Sequence, residues 1–302
     1  MDTIQSIFGL SPVTKPQIRL GDLVSTTQIG VEVEVENVID PPSIPGWRCI
    51  PDGSLRNHGV EYVFRGPIGG MSACTRLTQL EAKLGAVTNK DFSVRTSVHV
   101  HMDAREMSWK QVSDLVILYA MVEPYLFSIC GKERADSIYA LSLFRGQQQV
   151  SKLCDIIRLG PARIAQYWTK YSAINLLSLT RFGSIEFRGH SGTCNKDKLV
   201  NWINHLLYLK KYVMDSDNSL DTLPSLMSCN GSVALLSAIF GERLVSANIS
   251  HAHEASETLY ESMWVAEDIL HHNTMITNQL EIIQQNQGQT QLEKVKEKLC
   301  AV

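Results

Sequence analysis

The chain has 302 residues, 44% of them hydrophobic, enough for one large core or two modest ones, which excludes disorder as the main state. A formal charge of -3 and a pI near 6.3 argue against a protein whose chief task is to coat nucleic acid or an anionic membrane. The seven cysteines (Cys49, Cys74, Cys130, Cys154, Cys194, Cys229, Cys300) form no CxxC pair, so neither a disulfide framework nor a thiolate zinc site is expected, and a reducing, cytoplasmic setting fits.

In chain order, the N-terminal MDTIQSIFGLSPVTK lacks the basic start and apolar run of a secretory signal, so export by that route is not expected. Gly30 to Glu36 alternates apolar and acidic residues and predicts a strand. Pro41, Pro42, Pro45 and Gly46 mark a loop, and Asp52-Gly53-Ser54 a tight turn. Val60 to Phe64 is a second strand, Arg65 to Gly70 a glycine-rich turn, and Met71 to about Leu84 a helix. Ser97 to Met102 predicts a third strand, and Trp109 to Cys130 a helix interrupted at Pro124. The apolar run Leu115 to Phe127 is shorter than a bilayer span and carries Glu123 and Pro124, so a buried helix is expected rather than a membrane segment.

Arg181-Phe182-Gly183 supplies a turn before the fourth strand, Ser184 to Arg188. Lys196 to Met214 is helical, with Leu199, Trp202, Ile203, Leu206 and Leu207 as its apolar stripe. After about residue 230 the chain reads as mainly helical, ending from Asn278 in Gln- and Lys/Glu-rich sequence suited to a peripheral helix or a frayed tail. Strands and helices mix without regular βαβ spacing. The expected fold is α+β, an antiparallel sheet covered on one face by helices, with a catalytic unit over residues 1–230 and a helical extension over 231–302.

Three of these strands carry chemistry. Period two puts Glu32, Glu34 and Glu36 opposite Val31, Val33 and Val35. Such a face suits a hard divalent cation, and equally a solvated edge strand; Glu36, one step beyond the paired carboxylates, is expected to be exposed. His99 and His101 share one face of the third strand, where a pair can bind metal or contact phosphate, although a single strand histidine is more often structural. Glu186 and Arg188 share a face of the fourth, as a surface ion pair also would. Together the three strands describe a sheet with one apolar face and one charged floor, as phosphoryl chemistry requires: carboxylates hold metals, and arginine neutralises charge on the transferred group. Neither a P-loop nor a GxGxxG follows a strand, so a nucleotide would be held by metals and arginines.

An ordered series of motifs resembles the amidoligase family, whose fold is similar to that of glutamine synthetase and glutamate-cysteine ligase. The series is GVEVEVE at Gly30, DGSL at Asp52, GVEYVFRGP at Gly59, SVHVHMD at Ser97, ERADSIYA at Glu133, YSAINLLSL at Tyr171 and GSIEFRGHSGT at Gly183. It covers about residues 28–210. The resemblance implies a sheet-lined funnel where ATP phosphorylates a substrate carboxylate and an amine attacks the acyl phosphate. It implies Glu32, Glu34, Glu61, His99 and Glu186 as ligands of Mg²⁺ or Mn²⁺, with Glu34, His99 and Glu186 nearest the nucleotide. Arg188 and Arg134 would contact phosphates, His101 would steady the transferred phosphoryl group, and Asp52 would bind or deprotonate the incoming ammonium. An Asx hydrogen bond within its own turn is an equal account of Asp52, and a helix-end charge an alternative for Arg134. Ser191-Gly192-Thr193 reads first as a helix cap, and His251-Ala252-His253-Glu254 as a helix start.

The implied partners are a small-molecule or peptide carboxylate and an amine, with no membrane and no nucleic acid; such families are common in phage genomes, which suggests the cytoplasm of an infected bacterium. Competing readings are an ATP-dependent phosphotransferase on a related sheet and a non-catalytic, virion-associated binding protein that keeps the fold. A nuclease is opposed by the net negative charge and the lack of a basic stripe.

Overall fold

Alternation of small branched residues with carboxylates produces the central strand β1 (Ile29–Val35), whose Val31, Val33 and Val35 are fully buried. The structure, a computed structural model, describes residues 2–13, 19–143, 152, 155–157 and 160–266. β1 lies inside a six-stranded sheet with β2 (Trp47–Pro51), β3 (Val60–Phe64), β4 (Ser97–Asp103), β5 (Ile174–Asn175) and β6 (Ser184–Ser191). The order is β2-β3-β1-β4-β6-β5, and every pairing is antiparallel. The expected α+β class is therefore observed.

One face of the sheet is apolar apart from His190, which pairs with Val98 and lies buried against Trp202. Val31, Val33, Val98, Val100, Met102, Ile185 and Phe187 are all completely shielded from solvent, and each such side chain contributes roughly 1.5–3 kcal/mol of burial free energy. They meet α3 (Trp109–Cys130) and the helix Lys196–Met214, with α2 (Gly70–Gly85) packed beside the latter; α1 (Ile4–Phe8) is a short N-terminal helix. Serine 108 starts α3 with a capping box: its hydroxyl accepts from the Gln111 N–H, and the Gln111 side chain accepts from the Ser108 N–H.

Several sequence expectations are corrected here. α3 runs on through Pro124 without interruption, because the packing of its buried residues holds the helix on both sides of the ring. Its most apolar window suits a bilayer by length and composition, yet 78% of that window is buried inside the protein. Trp47–Pro51 is a strand that the sequence did not reveal, directly after the expected Pro41–Gly46 loop; it pairs residue by residue with β3, Arg48 opposite Val63. The Lys196 helix is capped by Asn195, whose Oδ1 accepts from Lys198 N–H, not by the Ser191-Gly192-Thr193 segment. His251 and His253 lie in the last turn of the helix Ile249–Glu254, which Asn248 precedes, rather than at a helix start.

Arg181 and Phe182 end a short helix, Leu177–Phe182, rather than forming a free turn. Gly183 closes it at φ 65°, and a side chain there would strike the Arg105 side chain at 2.3 Å, so glycine is required for β6 to begin where it does. Beyond residue 220 the helices Leu223–Phe240, Glu242–Ala247 and Ile249–Glu254 follow, with helix again over 256–266. Leu235, Phe240, Leu259 and Met263 join the same hydrophobic core as the sheet, so this region packs with the sheet and its helices as far as it is described. The Gln- and Lys/Glu-rich sequence from Asn278 lies outside the described residues. Cys49, Cys74, Cys130, Cys194 and Cys229 are free thiols.

Candidate active site on the polar face of the sheet

The registers bring the charged residues of separate strands side by side. Glu32 of β1 pairs with His99 of β4, Glu34 of β1 with Glu61 of β3, and His101 of β4 with Glu186 of β6. Residues directly opposite in an antiparallel pair share a face, so four strands pool their polar side chains on one floor. Gly30 lies opposite His101, where a Cβ would make ordinary contact with the His101 Cβ at 3.4 Å.

Three overlapping donor sets result. One oxygen or nitrogen from each of Glu32, Glu61 and His99 lies within 4.8 Å of the others, and the same holds for Glu32, His101 and Glu186 and for Glu34, Asp52 and Glu61. On an octahedral Mg²⁺ opposite ligands stand about 4.2 Å apart and adjacent ones about 3 Å, so side-chain rotation that draws these atoms together would let each set hold a hard cation. All five residues expected as metal ligands thus belong to at least one donor set, as do His101 and Asp52.

Hydrogen-bond accounting at His99 sharpens the case. The Ser97 hydroxyl donates to Glu34 Oε2 at 2.6 Å, and the Ser97 N–H donates to the same oxygen at 2.8 Å. Having used its proton, Ser97 Oγ accepts from His99 Nε2–H at 2.8 Å. His99 Nδ1 then faces Glu32 Oε2 at 3.2 Å and Glu186 Oε1 at 3.9 Å. In the neutral ring this nitrogen presents a lone pair to carboxylate oxygens, an arrangement that calls for a proton or a cation between them. Ser97 was missed in the sequence, although period two already put it on the face of His99 and His101.

Electrostatics follow from the crowding. Burial, and then the neighbouring Glu32, Glu34 and Asp52 carboxylates, push Glu61 up to about 9. Glu32 goes the other way: burial would raise it, but His101 and His99 outweigh that and hold it well below the usual carboxylate range. Burial likewise opposes protonation of His101, while Glu32 and Glu186 more than compensate and raise it. The His101 Nε2 to Glu32 Oε1 distance is 3.4 Å.

Glu186 is held from two sides. Asn175 Nδ2 donates to its Oε2 at 2.7 Å, and Arg188 Nη1 donates to its Oε1. Asn175 comes from the two-residue β5, which offers no periodicity to find it by. Arg188 Nε is buried without a partner. Arg134, only 1% exposed, sits in the 3-10 turn Lys132–Asp136 and donates from Nη2 to Arg188 O at 2.9 Å and from Nε to Gly189 O at 3.4 Å. Its Nη1 has no partner either. The guanidinium is therefore anchored to β6 and is not a helix-end charge. Two unsatisfied buried guanidinium N–H groups beside a carboxylate floor fit an anion such as a phosphate.

Asp52 forms the expected Asx turn, its Oδ1 accepting from Ser54 N–H at 2.8 Å, and a carboxylate oxygen lies within 4.8 Å of donor atoms of Glu34 and Glu61. Glu36 corrects its expectation. It is 3% exposed, its backbone bridges to Asp91, and its Oε1 accepts from Arg56 N–H at 2.7 Å, because the chain curls over the end of β1 there. Arg95, also unforeseen, donates from Nη2 to Ser54 O at 2.7 Å and so ties the Asp52 turn to the segment before β4. No family model and no curated protein matches this chain.

Proposed function

We propose that the chain is an ATP-dependent carboxylate-amine ligase of the amidoligase kind, on a glutamine-synthetase-like sheet, making an amide through an acyl phosphate. The observation that carries the reading is the joint presence of clustered oxygen donors with Arg188 on Glu186 and Arg134 on the Arg188 carbonyl, each guanidinium keeping a buried N–H unsatisfied among the described residues. The donor sets fit divalent cations: Glu32, Glu34, Glu61, His99 and Glu186 would hold Mg²⁺ or Mn²⁺, which when bound supplies positive charge to phosphate oxygens.

The protein's own part is positioning and charge. Arg188 and Arg134 donate to oxygens of the transferred phosphoryl group, and the raised His101 lends it a further proton donor. The substrate carboxylate oxygen bonds to the γ-phosphorus as the bond to the β-γ bridging oxygen breaks, releasing ADP. Asp52, the carboxylate at the rim of the floor, takes a proton from the incoming ammonium; the freed amine nitrogen bonds to the acyl carbon as that carbon's bond to the phosphate oxygen breaks, and inorganic phosphate leaves carrying the second N–H proton.

The test is ADP release with Mg²⁺ and pooled carboxylic acids, with and without hydroxylamine as surrogate amine, on the wild type and Glu186→Gln. Acid-dependent ADP release with hydroxamate formation, lost in the variant, is expected. ADP without hydroxamate would make the protein a phosphotransferase. No ATP binding in the presence of Mg²⁺ would overturn the catalytic reading in favour of a binding protein.

A further inference from the structure

The polar floor continues past Glu32 and His101 into a cleft of about 280 Å³ on the side away from Arg134. Its walls are largely apolar, formed in part by Phe64, Pro67 and Phe182, and Arg48 lines it as well. Phe182 is a large aromatic left 57% exposed; its edge meets the His101 ring at a centroid distance of 6.4 Å. The cleft thus adjoins the donor cluster through the Glu32–His101 pair.

Its charges are not balanced. Asp103 is satisfied by Arg105: Oδ1 accepts from the Arg105 N–H at 3.1 Å and from Nε at 2.9 Å, and Oδ2 from Nη2 at 2.9 Å. Glu32 faces the two imidazoles and Glu61. Arg48 forms no hydrogen bond or ion pair with any described residue. Its register partner is Val63, which is itself paired with Glu32, so the Arg48 side chain stands on the same face of the sheet as the donor cluster. The cleft therefore offers one uncommitted cation, apolar walls, and no uncommitted carboxylate to hold an ammonium group.

We infer that this cleft receives the acid substrate, and that the acid is a dicarboxylate without a free ammonium group. One carboxylate would lie at the Glu32–His101 end, a short hydrocarbon spacer against Phe182 and Pro67, and the second carboxylate on Arg48. Arg48 is then a specificity-determining residue. A free α-amino diacid such as glutamate would bring its ammonium into an apolar wall beside Arg48, without a counter-charge. This assignment rests on the ligase reading for the role of the bound acid, though the binding itself can be measured without turnover.

The experiment is calorimetric titration of the full chain, loaded with Mg²⁺ and a non-hydrolysable ATP analogue, with glutarate, N-acetylglutamate, glutamate and butyrate. Glutarate and N-acetylglutamate are expected to bind about tenfold or more tightly than glutamate or butyrate, and Arg48→Gln to remove that advantage while Arg48→Lys keeps part of it. Phe182→Ala, on the opposite wall, is the second variant and weakens glutarate binding too; thermal melting checks that both fold. Glutamate binding as tightly as glutarate, or unchanged glutarate affinity in Arg48→Gln, overturns the inference. Arg48-dependent glutarate binding with no ADP release from any acid would leave the cleft standing and sink the ligase reading; ADP release with monocarboxylates and no preference for diacids would do the reverse.

Discussion

Replacing Glu61 by glutamine should stabilise the protein when metal is withheld. Its carboxyl has a native-state value of about 9 against an ordinary 4.5, raised by burial and by Glu32, Glu34 and Asp52. Between 4.5 and 9 the folded state holds a proton that the unfolded state has lost, so stability falls as pH rises through that window. At pH 7.5 the group lies three units above its unfolded value, an upper bound of about 4 kcal/mol. Glu61 is only half-buried, and solvent screening reduces this to roughly 2 kcal/mol. In EDTA at pH 7.5, Glu61→Gln should therefore melt about 3 °C above the wild type, and the gain should vanish toward pH 5. With Mn²⁺ or Mg²⁺ in excess the order should invert, because the cation binds the ionised carboxylate and glutamine is a poor substitute. Differential scanning calorimetry across pH 5 to 8.5, with and without metal, measures all three. A variant no more stable than the wild type in EDTA, or a difference independent of pH, would refute the crowded-carboxylate account.

Two further outcomes follow from the hydrogen bonds around the floor. Ser97→Ala removes the hydroxyl that fixes both Glu34 and the His99 tautomer, and should weaken Mn²⁺ binding about 10–100-fold, read by calorimetry, with little change in melting temperature. An unaltered metal affinity would show that His99 is not a ligand. Glu36→Ala should cost about 1–3 kcal/mol in urea unfolding by orphaning the Arg56 N–H, whereas Glu36→Gln, which still accepts from it, should keep most of the stability; equal losses would place the effect in charge rather than hydrogen bonding.

The parts of the fold legible in the sequence are those with an unbroken period. β1, β3, β4 and β6 alternate, so their apolar and polar faces could be assigned before any coordinates, and the stripe of the Lys196–Met214 helix was equally plain. β2 was not legible because WRCIP has no alternation and ends in proline; it exists because β3 offers it a partner. Pro124 predicted a break that tertiary packing overrides. At the site, residue types marked Glu32, His99 and Glu186, but their supports are set by three-dimensional proximity alone: Asn175 arrives on two residues of strand, and Arg134 from a turn 54 residues before its carbonyl partner Arg188. Glu36 follows the same alternation as Glu32 and Glu34 and is nonetheless buried, since periodicity fixes a face but not what folds over it.

Among the described residues, β2 is an edge strand, hydrogen-bonded to the sheet through β3 alone, while β1 and β4 sit in the interior. Arg48 belongs to that edge and Asp52 directly follows it, whereas the other donors of the floor lie on strands paired on both sides, with Glu61 on β3 bridging the two zones. Such a division separates what must stay fixed from what can vary. On the proposed ligase reading, insertions or substitutions along the β2 margin retune which acid and amine are accepted while the interior strands keep their register, so selectivity drifts faster than chemistry.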